Sequence, residues 1–412
     1  MLPNLILTLL FASVLFMHYK RVSHVDVTAI VVALYMFVAF CGAILYSMDV
    51  PKFKNLALWP YLYLFSVFFF QIKPLNKVSY IDNKIANKRP LKIIRYLVLI
   101  YIICAIIALY YSWNNIVAMI ILGDWESVKK EAYAGVSEKI PFIFAYAEAF
   151  GLYFRFFIFP YCFYLFTQKQ VKFYKPLLLL VFCIVTTTFH FLASAYRGGL
   201  FSILILLFIS YFLFRKDIPK QRKRIVTISG LVVTTIVLII TISITNSRFE
   251  NTSSGAFDSL LYYFGISMID FNGGIATKAT SYMGGNYYFM TERGLERDQF
   301  WIDRKYGIDT NDGSNFETLI GCFYIDFGPI QAFLILLAVS FLLIRLLNFK
   351  KRYWSSIYLF YFYLELLTAG VFHGPSSLHH QVKNVLIIYC IFYLIEKKYE
   401  GKYKYQNCSL LS

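Results

Sequence analysis

Apolar residues dominate this chain in long unbroken runs, and polar positions fall between the runs rather than alternating with them. Runs of about 15 to 25 apolar residues predict helices that cross a hydrocarbon core roughly 30 Å thick, where each segment must satisfy its own backbone amides. Eleven such segments occur, at 2–17, 27–46, 56–72, 96–113, 141–166, 177–195, 200–214, 225–244, 330–347, 354–371 and 382–395. The seventh and the last are short, so the pattern allows ten to twelve spans. The expected class is an all-α polytopic membrane protein.

Composition agrees with this pattern. Of 412 residues, 59% are hydrophobic and only 15% charged, which excludes a soluble fold. The 42 Phe and 34 Tyr suit lipid-facing surface and interfacial belts. A formal charge of +17 would fit a nucleic-acid partner, but the basic residues lie in short clusters between apolar runs and form no continuous patch. Topology accounts for them better. If the connection holding Lys20 and Arg21 is cytoplasmic, the alternate connections on that side carry 26 of the 40 Lys and Arg residues. The expected setting is a bacterial inner membrane, with the N-terminus periplasmic and the C-terminus cytoplasmic. The first apolar run has no basic residue ahead of it, so it reads as a retained span rather than a secretory signal. The seven cysteines are scattered without a CxxC pair and predict neither a disulfide framework nor a metal site.

The expected organisation is a bundle of eight spans over 1–245, a large periplasmic loop over 246–315, three spans over 316–396 and a cytoplasmic tail over 397–412. A 70-residue connection is far longer than a bundle requires, and such loops usually carry function. Within it Phe257, Leu260, Leu261, Phe264, Met268 and Phe271 recur at helical spacing. That spacing fits an interfacial amphipathic helix or an ordinary loop helix packed on the bundle.

The chain has no GxxxxGK[ST], no HExxH and no zinc-spaced Cys or His cluster, so neither ATP nor a metal nor another cofactor is expected. A group transfer on the outer face, where no nucleotide pool exists, needs a donor already activated on a membrane carrier. A lipid diphosphate meets that need, and its leaving group calls for cations. Arginine suits the task because its planar fork binds phosphate oxygens in pairs. Arg197 lies in Ser194-Ala195-Tyr196-Arg197-Gly198-Gly199, a short reversal between two spans, where it reads as a diphosphate ligand or as an anchor for lipid phosphates. Arg248 follows the eighth span and invites the same two readings. Arg293 and Arg297 stand among carboxylates in the large loop, which balances six basic against nine acidic residues; a solvated charged helix competes there with substrate binding.

Candidate bases complete the set. Glu317 and Asp326 flank the entry to the ninth span, where desolvation favours general-base work, although Asp326 could also be an N-cap ahead of Pro329. His373, His379 and His380 fall within eight residues of the last outer connection and read as ligand contacts ahead of a metal pair. Inside the spans, Glu148 and Arg155 are seven residues apart and share a helix face, while His190 and Glu365 lie in other spans; a structural polar network or a proton path would account for them.

Aromatic-rich spans, the small-residue-Arg-Gly turn at 194–199, one dominant outer loop and the string Tyr324-Ile325-Asp326-Phe327-Gly328 together resemble the O-antigen polymerase family (Wzy) and related repeat-unit polymerases. The resemblance implies a GT-C-like polymerase and ligase architecture. It further implies a metal-independent glycosyltransferase that polymerises undecaprenyl-diphosphate-linked oligosaccharides into O-antigen or capsule-like polysaccharide. Arg197, Arg248 and Arg293 would then bind diphosphate, with His373 or His379 assisting. The implied partners are the lipid-linked oligosaccharide, the bilayer, a chain-length regulator and a flippase, with no nucleic acid. The rival readings are an O-antigen ligase and a flippase or transporter of the same glycolipid; a single asymmetric outer loop favours the enzyme over the transporter.

Overall fold

The structure, a computed structural model, describes residues 2–49, 53, 55–77, 91–121, 142–193, 197–249, 256–279, 282, 318–347, 353–372 and 378–408. Among these residues there is no strand. Twelve α-helices follow in order: α1 (Leu2–Val22), α2 (Val27–Ser47), α3 (Leu58–Gln71), α4 (Leu91–Ile121), α5 (Phe142–Thr167), α6 (Tyr174–Ala193), α7 (Arg197–Phe214), α8 (Lys220–Phe249), α9 (Ala256–Asp270), α10 (Leu319–Leu347), α11 (Trp354–Ala369) and α12 (Leu378–Cys408). Each of the eleven apolar segments coincides with one of them, and α9 is the addition.

Seven helices, α1, α2, α4, α5, α6, α8 and α10, are long and apolar enough to cross a membrane, and α3 and α7 are shorter apolar helices. Leu9, Phe16, Ile103, Leu231, Ile239 and Leu342 are all at least half exposed, a surface that water would penalise and lipid tails would cover. The chain is therefore a multi-pass membrane protein. It divides into two compact units, the first built from Met1–Ser79, Phe249–Asn348 and Leu364–His380, the second from Tyr80–Arg248, Phe349–Tyr363 and Gln381–Ser412.

In the first unit α1 packs on α2 and α3, and α9 packs along α2. Rings fill the centre: Tyr35 lies 4.0 Å from Phe68 and 5.8 Å from Phe11 between centroids. At the α2–α9 crossing the two backbones meet at glycines, since a Cβ on Gly265 would stand 2.7 Å from the Gly42 amide nitrogen. That close approach buries every residue from 265 to 276, including a π-helical turn, Phe271–Ala276. The loop helix is thus packed on α2 over its second half. Asp258 and Tyr262, in its first half, are only half-buried.

The ninth predicted span begins eleven residues earlier than its apolar core suggests. Thr318 opens α10 by accepting the Gly321 amide at 3.0 Å, and the Leu319 amide donates to the Gly370 carbonyl at 2.6 Å. The helix kinks at Gly328, whose φ of 76° suits glycine, followed by Pro329, which lacks the amide needed to continue the ladder.

In the second unit α5 packs against α4, α6 and α7. Its core is again aromatic, with Phe157 at 4.6 Å from Phe392 and 5.3 Å from Trp354. The Glu396 carboxylate caps α11 from α12, accepting the Trp354 and Ser355 amides and the Ser355 hydroxyl at 2.6 Å. A carboxylate at a helix N-terminus meets both its orphan amides and its positive dipole end.

Candidate functional site

The sharpest polar constellation lies in the second unit, at the end where α6 runs into α7. Arg197 is the first residue of α7, four positions after α6 closes at Ala193. The helix start is fixed by packing: a Cβ on Gly199 would fall inside the Phe191 ring, so only glycine lets α7 approach α6 this closely. The same Phe191 ring lies 5.2 Å from the Arg155 guanidinium, which also sits 4.6 Å from the Phe156 ring. Arg155 is buried and donates to the Leu152 carbonyl at 2.7 Å. Stacking on aromatic faces offsets part of the cost of holding a guanidinium away from water.

One turn before Phe191's helix end, His190 Nδ1 lies 3.0 Å from Glu148 Oε1. Both side chains are half-buried and face a cavity of about 30 Å³ shared by α4, α5 and α6, which Ser112, Gly151 and Thr187 also line. That is room for roughly one or two water molecules among polar partners. A carboxylate beside Nδ1 fixes the ring's orientation and favours the tautomer whose proton sits on Nδ1. The expectation of a polar network inside the spans is met in part. Glu148 pairs with His190, Arg155 is engaged by the aromatic stack, and Glu365 belongs to the first unit.

A second constellation lies in the first unit around the α10 kink. Asp326 is completely buried two residues before Gly328, inside the first limb of α10, so it is not the N-cap of a helix starting at Pro329. Next to the kink, the Tyr63 hydroxyl donates to the Pro329 carbonyl at 2.8 Å and the Tyr324 hydroxyl to the Ala276 carbonyl at 3.3 Å. Tyr324 has Tyr63 at 5.5 Å and Tyr282 at 6.0 Å, and the exposed Tyr282 ring also covers Gly328. Asp270 is fully buried within electrostatic range of Tyr61. The asparagine two residues on, Asn272, donates to and accepts from the Ala57 backbone at 2.7 and 3.0 Å, a structural clamp.

The remaining candidates are only partly visible. Arg248 lies in the last turn of α8 and His379 in the first turn of α12, each described through its backbone, and His380 beside it is exposed. Arg293, Arg297, Glu317 and His373 lie outside the described residues. Among the described residues the structure joins Glu148 to His190, which the sequence marked as polar without making it a site. The tyrosines at the kink carried no distinguishing signal among 34 in the chain.

No family model, curated protein or solved structure matches the chain. The likeness to O-antigen polymerases rests on layout and short residue strings alone.

Proposed function

We propose that this membrane protein is a metal-independent glycosyltransferase that polymerises undecaprenyl-diphosphate-linked oligosaccharide repeat units at the periplasmic face of a bacterial inner membrane. The observation that supports this most is the nearness of the α7 start at Arg197, the buried Arg155 beside Phe191 and the Glu148–His190 pair at one end of the second unit. A lipid-diphosphate donor needs a cation for its leaving group and a base for the incoming hydroxyl, and both chemistries occur there.

In this reading Arg197 binds the diphosphate, with Arg248, Arg293 and Arg297 as further cationic candidates. His190 takes the proton of the acceptor hydroxyl as that oxygen attacks the donor's anomeric carbon. The bond from that carbon to the diphosphate oxygen breaks, and the electron pair leaves with undecaprenyl diphosphate. Glu148 stabilises the imidazolium so formed. Asp326, Glu317 and the 373–380 histidines belong to the first unit and stay candidates on sequence grounds alone.

Glycan profiling of a deletion strain tests the reading. Loss of this polymerase leaves glycolipid capped with a single repeat unit, and the wild-type gene restores the ladder. Uncapped core would instead identify a ligase, and an unchanged ladder would overturn the proposal.

A further inference from the structure

At the opposite end of the second unit, α5, α6, α7 and α8 enclose an apolar groove of about 190 Å³. Its wall comes from the last turns of α5 (Phe166), the first half of α6 (Leu180), the second half of α7 (Leu207, Phe208) and the first half of α8 (Val233). Helix α8 is thinly covered, with Leu231, Val232, Ile236 and Ile239 all at least half exposed, so the groove stands on the lipid-facing perimeter.

The helix ends that lead into the groove's lining residues Phe166, Leu177, Tyr211 and Val226 are rich in basic residues. The α5–α6 connection and the first turn of α6 bring Lys169, Lys172 and Lys175, and the α7–α8 connection and the first turns of α8 bring Lys216, Lys220 and Arg224, all exposed. Across these two connections Asp217 is the one carboxylate. Like charges would ordinarily spread such loops apart, but Arg222 ties them together. It donates to the carbonyls of Phe166, Gln168, Lys169 and Val171 at 2.8–3.2 Å, locking the start of α8 onto the α5–α6 connection. Arg222 serves as the clasp, and eight further Lys and Arg residues, Arg215 and Lys223 among them, lie within 169–175 and 215–224, next in the chain to residues that line the slot.

An apolar slot with a cationic rim matches an amphipathic anion. We infer that this groove is a binding site for an anionic phospholipid, with one acyl chain in the slot and the phosphate against the lysines of both connections. A zwitterionic lipid would bring its own cation to a rim already positive. The site is separate from the proposed reaction and does not depend on it.

Gly230 provides the test, because it lines the groove and a Cβ there meets nothing within 4 Å. A Gly230→Phe side chain can therefore grow into the slot without colliding with the backbone. The full-length protein, purified in detergent, is titrated with phosphatidylglycerol or phosphatidylcholine and followed by native mass spectrometry, with folding checked by thermal unfolding. Phosphatidylglycerol should form a saturable one-to-one adduct that phosphatidylcholine does not match. The adduct should be lost in Gly230→Phe and weaken about fivefold for each charge removed in a Lys172→Gln, Lys175→Gln, Lys220→Gln series at low salt. Equal binding of the two lipids, or a full phosphatidylglycerol adduct on Gly230→Phe or on the triple variant, would overturn the site.

Discussion

His190 and Glu148 come from different helices, α6 and α5, yet the Nδ1 and Oε1 atoms stand 3.0 Å apart beside a small cavity. An imidazole held this way by a carboxylate is oriented for proton transfer, and it lies one helical turn from the connection that leads to Arg197. If that geometry serves the proposed transfer, His190→Ala lowers the initial elongation rate of purified protein by about 10²-fold or more. Glu148→Gln, which keeps an acceptor and removes the charge, lowers it by less. Unaltered rates in both variants would assign the pair to structure alone.

The α2–α9 crossing admits no side chain. Gly265→Ala places a methyl 2.7–2.8 Å from the backbone of Cys41 and Gly42, and backbone cannot turn aside as a flexible side chain can. Overpacking of this kind costs about 1–3 kcal/mol. Thermal unfolding in detergent should show a lowered midpoint for Gly265→Ala, whereas Gly230→Ala, with open space around it, should hold or raise it.

Glu396 serves α11 as a cap from a helix some forty residues later in the chain. Glu396→Ala leaves the Trp354 and Ser355 amides and the Ser355 hydroxyl buried without that acceptor, and each unmet buried donor costs about 1–3 kcal/mol. Glu396→Gln retains one acceptor oxygen and should recover part of the loss. The same unfolding measurement separates the two variants.

Helix positions are legible from sequence here because the dominant energy is the transfer of long apolar runs out of water, and that depends on local composition only. Helix α9 is legible as a helix from the spacing of Phe257 to Phe271, but its burial depends on Gly265 meeting Gly42, more than 200 residues earlier. Apolar spacing alone does not say whether the covering surface is lipid headgroups or another helix. The start of α10 at Leu319 escapes a hydropathy reading because Asp326, Gly328 and Pro329 interrupt the apolar run, while the tertiary bond from Leu319 to Gly370 supports the first limb. Within the candidate site, the Glu148–Arg155 spacing exposes a shared helix face. The Glu148–His190 contact depends on the register between two helices, which neither sequence contains by itself.

Arg197 is the residue on which the functional account turns, and its most direct test is elongation by the purified protein in liposomes supplied with synthetic undecaprenyl-diphosphate-linked repeat units and no ion gradient. Wild-type protein should lengthen the glycan and release undecaprenyl diphosphate, Arg197→Ala should do neither while unfolding at the wild-type temperature, and Arg197→Lys should retain a small fraction because a point charge replaces the fork. Wild-type lengthening that Arg197→Ala matches, or no lengthening by the wild type at all, would contradict it.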